Sequence, residues 1–320
     1  MQNVAHRLRA DVERLALPEG RRAKSAAHRR ALTFLEERVR EIGLVPYGPT
    51  YLMPYPPWRT ELANLVAVAP GRDRGEAPVL IAAHTDTAGD QPGADDNAAA
   101  VAIALEVGTR LLARPAARDV LIALFDAEEP PYFHSDLMGS TWFATEQATG
   151  PVHAALVMDL VGHPVPLPGH GDLLFVTGME SDGDLERAIL ALGPRDGVRI
   201  VTALNRYVGD MSDHHVFRLR RVPYLFLTGG RWAHYHQPTD TPDRLDYGRM
   251  AAIADVLEAL ARGVAERPLA GPWEGYDTTP TDLETMRAGL GALLDARGIA
   301  LRDRDDIERV AGLLRQHWGL

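Results

Sequence analysis

Seven apolar runs, each bounded by glycine, proline or an acid, constrain the fold of this chain more than any other feature. They are "NLVAVAPG", "PVLIAAH", "DVLIALFDAEE", "AALVMDLVG", "DLLFVTG", "VRIVTAL" and "VPYLFLTGG", spread between residues 64 and 230. Short runs of this kind, rich in β-branched and aliphatic residues, read as buried strands. Helical segments alternate with them: "KSAAHRRALTFLEERVREIG" before the first strand, a long alanine-rich helix from "AAAVAIALEVGTRLLAR", then "DLERAILALG" and "DHHVFRLRR". Strands alternating with helices predict an α/β fold, a doubly wound and mostly parallel central sheet with helices on both faces.

In such a sheet, ligands bind beyond the carboxyl ends of the strands. Four strand ends here carry acids and histidines: His84 after "VLIAA", Asp126 to Glu129 after "VLIALF", Asp159 after "ALVM", and His236 in the loop after "VPYLFL". The stretch "PGADDNAAA" adds Asp95, Asp96 and Asn97 at the start of the alanine-rich helix. One such residue suffices to cap a helix, so the surplus acid beside His84 and Asp86 calls for a cation or for solvent.

The composition narrows the chemistry. The chain has no cysteine, so thiolate sites are excluded and a metal would be held by His, Asp and Glu. Acidic residues outnumber basic ones by 44 to 34, a net charge of −10, which gives no reason to expect nucleic-acid or anionic-membrane binding. The expected partner is a peptide or a small aminoacyl substrate. The N-terminal segment reads as an amphipathic helix without the apolar core of a signal peptide, and a cytoplasmic location is expected. His84, Asp96, Glu129, Asp159 and His236 together offer two imidazoles and three carboxylates. Five donors exceed what one catalytic zinc with an open position needs, and they fit two ions if Asp96, in its tight turn, bridges them. Asp86 and Asp240 are placed to hold the second ring nitrogens of the two histidines. Taken singly, each motif reads as loop polarity; the combination carries the expectation.

In order and spacing, "AAHTDT", "GADDNAAAVA", "FDAEE" with "GS" downstream, "MDLVG", "SDHHVF" and "YHQPTDTPDRLD" resemble the co-catalytic di-zinc aminopeptidase family. That family also includes glutamate carboxypeptidases and glutaminyl cyclases. The resemblance implies two zinc ions per chain, one held by His84 and Asp159, the other by Glu129 and His236, with Asp96 shared. It implies a general-base role for Glu128, which adjacent glutamates at a strand end also suggest: one binds metal while its neighbour faces the attacking water. Tyr235, next to His236, is a candidate hydrogen-bond donor to the developing oxyanion. Asp213 reads either as a support for the site or as a helix cap. His134, His163, His214, His215 and His234 are not expected to ligate.

The implied activity is hydrolysis of N-terminal residues from peptides, with glutaminyl cyclisation as the alternative. The segment "PPYFHSDLM" between the glutamates and "GS" is longer than in many aminopeptidases and resembles the cyclases. Residues 1–267 are expected to form the catalytic domain and residues 268–320 a pair of amphipathic helices packed on it. A metal-free carbohydrate hydrolase using Glu128 and Asp159 would not need the two histidines, and a non-catalytic metal-binding or receptor domain on the same fold would be expected to lack a ligand or the base, whereas all five donors and Glu128 are present.

Overall fold

The computed structural model describes residues 2–56 and 61–318. Helices α1 (Gln2–Leu15) and α2 (Ala26–Ile42) precede strands β1 (Val45–Pro46), β2 (Leu52–Pro54), β3 (Ala63–Ala69) and β4 (Val79–His84). Then follow α3 (Ala99–Ala113), β5 (Val120–Phe125), α4 (Gly139–Trp142), β6 (Ala154–Asp159), β7 (Leu173–Thr177), α5 (Gly183–Leu190), β8 (Arg199–Thr202), α6 (Asn205–Val208) and α7 (His214–Leu219). The chain ends with β9 (Tyr224–Thr228), α8 (Tyr247–Ala265), α9 (Thr279–Ala296) and α10 (Arg304–Trp318).

All strands join one sheet in the order β1-β3-β5-β4-β6-β9-β7-β8, with β2 also paired to β3. The central four, β5, β4, β6 and β9, run parallel. This is the mostly parallel α/β sheet expected from the alternation, and it brings the carboxyl ends of all four strands to one edge. The flanks depart from the pattern: β3 is antiparallel to β5, and β7 is antiparallel to β9. Apolar runs carry no mark of strand direction, so periodicity alone did not reveal these reversals.

Side chains alternate across the sheet with the two-residue period of a strand. Leu65, Ile81, Ile122 and Leu156 face a core closed by α1, α3, α5 and α8. Val66, Leu80, Leu121 and Val157 face the other side, where Phe143 and Phe217 cover them. Farther along that second face, Leu173, Phe175 and Val201 pack against Met286 and Leu290 of α9 and against Ile307 and Val310 of α10. Helix α2 ends at Gly43, whose φ of +91° gives a left-handed C-cap. Helix α8 was not anticipated. Thirteen of its 19 residues are buried, so it lacks the polar stripe by which a surface helix announces itself. Among the described residues no helix is long and apolar enough to cross a membrane.

Candidate metal centre

The acids of "GADDN" do not cap α3. They occupy an irregular turn, residues 94–98, in which Asp96 (φ −110°, ψ 83°) and Asn97 (φ −133°, ψ 33°) leave helical geometry, and the helix starts only at Ala99. Gly93 enters the turn at φ +58°, and a Cβ there would stand 2.3 Å from the Asp96 carbonyl oxygen and 2.4 Å from the Thr87 methyl, so only glycine fits. The turn is wired on both sides. The Asp95 and Asp96 amides donate to the two carboxylate oxygens of Asp240, at 2.9 and 3.1 Å. Asp95 turns away from the cleft and accepts from the Gly162 amide (2.6 Å), the His163 amide (2.9 Å) and the His163 ring (2.6 Å).

Buried Arg21 donates to the carbonyls of Thr85, Pro92 and Gly93, tying the loop after β4 to the Asp96 turn. Asp86 accepts the amides of Glu128 and Glu129 at 3.0 and 3.1 Å, tying the loop after β4 to the loop after β5. Ala127, Leu160 and His236 all adopt the left-handed region, at φ +54°, +55° and +56°. For non-glycine residues this backbone carries a cost, and it recurs at functional sites. Here it falls beside Glu128, beside Asp159 and on His236.

The structure gathers the five predicted donors. His84 Nε2 lies 3.2 Å from Asp96 Oδ1 and 3.7 Å from Asp159 Oδ1. His236 Nε2 lies 3.2 Å from Asp96 Oδ2 and 3.1 Å from Glu129 Oε1. Ligand atoms about 2.0–2.1 Å from a tetrahedral zinc stand about 3.3 Å from one another, so both donor sets have the spacing such an ion requires. His84 Nε2 and Asp159 Oδ1 are buried and have no hydrogen-bond partner, as donors aimed at a cation would be. His84, Asp96 and Glu129 alone offer three ligand atoms within 4.8 Å of one another. The donor chemistry and spacing therefore fit zinc.

Of the two acids expected to hold ring nitrogens, Asp86 does lie by its histidine, 3.5 Å from His84 Nδ1. Asp240 does not. It braces the backbone of the Asp96 turn, because the loop after His236 folds back over that turn rather than over its own histidine.

Electrostatics show a shortage of positive charge. Burial would push His84 down, but Glu128, Asp159, Asp86 and Asp96 hold it well above the usual imidazole value. Burial opposes His236 too, yet Asp96 and Glu129 raise it to about 10. Burial, reinforced by Asp96, pushes Glu129 up to about 7, and burial drives Glu128 well above the carboxylate range. Asp96 is driven below its usual value: burial would raise it, but the facing imidazoles of His236 and His84 outweigh that burial. So many acids around two imidazoles favour a bound divalent cation.

Glu128 lines the cleft with Asp96, Glu129, Asp159 and His236, and its Oε2 is 3.9 Å from His84 Nε2. The cleft measures about 180 Å³. Tyr235 lines it as well, stacked on the His236 ring with centroids 3.8 Å apart and with the Arg231 guanidinium 4.8 Å from its own ring centroid. Asp213 is fully buried, its carboxylate makes no cap bond to α7, and burial lifts it to about 7. The cap reading of Asp213 therefore fails. In the "PPYFHSDLM" loop, Phe133 reaches the cleft, whereas Tyr132 turns to Lys24 and Asp136 is exposed.

The set-aside histidines stay outside the cluster: His134 and His215 meet Asp210, His214 stacks on Phe226, His163 holds Asp95, and His234 meets Thr239. Sequence reasoning missed the bracing by Arg21 and the pairing of buried His28 with Asp126 at 3.1 Å. Neither residue lies in a strand-end motif, and only the fold brings them to the loops.

Comparison with known proteins bears on the fold and the family. The chain is 32% identical over 212 residues to the uncharacterized protein YfbL of Escherichia coli (strain K12), a match that takes in 57% of this chain and 65% of that protein. It thus spans slightly under two thirds of that relative's length. The fold resembles the Legionella pneumophila LapA aminopeptidase, with a TM-score of 0.65, 18% identity, and coverage of 82% of this chain and 72% of that one. It also resembles the Tannerella forsythia glutaminyl cyclase, with a TM-score of 0.62, 20% identity, and coverage of 82% and 99%. The family model of peptidase family M28 matches residues 64–261, the span that carries every donor described above. By that match the chain belongs to peptidase family M28.

Proposed function

We propose that this M28 peptidase is an aminopeptidase that holds two zinc ions, one between His84 and Asp159, the other between Glu129 and His236, with Asp96 shared. The observation that carries the reading is Asp96 itself, whose two oxygens stand 3.2 Å from two different imidazoles. Zinc bound there would supply Lewis acidity for the scissile carbonyl and bring the pKa of water to about 7.

The chain's own residues do the remaining work. Glu128 takes the proton of the attacking water and returns it to the leaving amine; its cleft position and its raised proton affinity suit both transfers. The carboxylates of Glu128 and Asp159 hold the substrate's free ammonium beside the carbonyl under attack. Tyr235 keeps its phenol protonated, since burial pushes its pKa up, and it donates to the developing oxyanion. Asp213 supports the site as a buried acid whose charge acts on His84.

Glutaminyl cyclisation is the second reading, favoured by Phe133 of the long loop entering the cleft. Purified protein saturated with zinc and offered a free leucyl peptide, its N-acetyl counterpart and a glutaminyl peptide decides between them. Aminopeptidase chemistry cleaves the first and spares the second. Pyroglutamate from the third without cleavage of the first assigns the cyclase, and cleavage of the blocked peptide alone excludes both.

A further inference from the structure

Next to the cleft lies a larger cavity of about 290 Å³. The two share Asp159, Met211, Arg231 and Tyr235, so the cleft opens directly into the cavity. Its floor is the sheet, where Phe175 and Thr177 of β7 pair with Thr228 and Phe226 of β9. Its far wall comes from outside the span of the family match: Met286 of α9, and Ala311, Leu314 and Arg315 of α10. Met286 is buried, and Ala311 and Leu314 nearly so, whereas Arg315 is exposed at the lip.

We infer that the C-terminal helix pair is a specificity wall, which sets the size and charge of the N-terminal side chain the enzyme accepts. The inference rests on the aminopeptidase reading. A substrate whose ammonium sits by Glu128 and Asp159 has its first Cα at the junction of the two spaces, and the side chain on that Cα enters the cavity. The lining is apolar, so burying an aliphatic or aromatic side chain there is favourable. The volume is near the small end of ligand pockets, about 300–1,000 Å³, and suits one large side chain. Arg231 and Arg315, neither in a salt bridge among the described residues, make the lip cationic and disfavour lysyl and arginyl substrates. Ala311 is the control point for size, because a longer side chain at that position projects into the space the substrate fills.

The test uses the zinc-loaded full chain with alanyl, leucyl, phenylalanyl and lysyl p-nitroanilides, and with binding of alanyl, leucyl and phenylalanyl hydroxamates measured by calorimetry. Ala311→Met should lower the phenylalanyl-to-alanyl ratio of kcat/KM by roughly tenfold or more, since a single methylene in an apolar pocket already reaches that scale, while Leu314→Ala should raise it. Arg315→Glu, at an exposed position with little risk to folding, should raise the lysyl-to-leucyl ratio. Ratios unchanged within twofold in all three folded variants would overturn the wall assignment. If no anilide is cleaved but hydroxamate affinities still rank by side chain and move with the variants, the wall stands and the aminopeptidase reading falls.

Discussion

His84 and His236 stand at the same distance from opposite oxygens of one carboxylate, yet they reach it by different routes. His84 is the last residue of β4, fully buried, with its second ring nitrogen beside Asp86, which in turn fixes the Glu128 and Glu129 amides. His236 sits in the loop after β9, in the left-handed backbone region, with 29% of its side chain exposed and its ring stacked on Tyr235, and with no acid beside its second ring nitrogen among the described residues. One half of the centre is an outgrowth of the parallel sheet. The other depends on a loop pinned through Asp240 to the Asp96 turn. Pre-organisation lowers the cost of binding, so the His84 half should hold its ion more firmly than the His236 half.

The largest effect expected bears on both halves at once, through the residue that belongs to neither. Glu128→Gln should keep both ions and lower turnover by about 100-fold or more, the scale of removing a general base. Glu129→Gln should instead release only the ion on the His236 side. Metal analysis and peptide assays on the two variants check this, and equal metal loss in both would erase the division of labour between adjacent glutamates.

Asp96→Asn tests whether the halves are joined. An amide offers one carbonyl oxygen where the carboxylate offers two, so zinc affinity should fall on both sides together. Loss of a single ion would show two independent sites that merely lie close. Chelator titration of the unaltered protein adds the asymmetry: the first ion should leave without disturbing the second.

The sheet half was legible in the sequence because parallel strands are written as unbroken apolar runs, and a polar residue at the end of such a run has one place to go. His84, Asp159 and the glutamate pair stood out for that reason. His236 lies eight residues past the end of β9, and its position rests on loop contacts that no periodicity encodes. The same limit explains Asp240, whose role at the Asp96 turn depends on a loop folding back. It explains Asp95, whose partner is neither a cation nor solvent but His163. Helices α9 and α10 were readable as amphipathic elements, but where their apolar faces land is a tertiary fact.

A smaller effect separates the halves through their supports. Asp86→Asn should weaken zinc on the His84 side by about 10- to 100-fold, the usual range for residues that orient a ligand, and leave the His236 side within a fewfold of its original affinity. Competition with a chromogenic chelator resolves the two steps. Equal weakening of both would mean that Asp86 acts through the glutamate amides rather than through His84.

The mildest expected effect is on the stability of the chain stripped of metal, and its sign can be worked out. Burial raises the carboxyls of Glu129, Asp213 and Asp240 to about 7 each, so between about pH 4 and 7 the folded chain binds more protons than the unfolded one. Stability therefore falls as pH rises through that window. His236, raised to about 10, contributes stability that is present below the unfolded imidazole value and is lost as pH rises toward 10. His214 runs the other way: burial lowers it to about 4, so its contribution grows as pH rises from about 4 to 6.5 and is flat above that. Between pH 6.5 and 9, then, the stripped protein should lose stability steadily, as measured by the urea midpoint in the presence of a chelator. Saturating zinc should reverse the slope, because Glu129, His236 and the other ligands must shed protons to bind it. His236→Gln should flatten the stripped protein's curve at the alkaline end. A midpoint that rises with pH in chelator, or one that zinc leaves unchanged, would mean that these groups do not face one another as a single charge cluster.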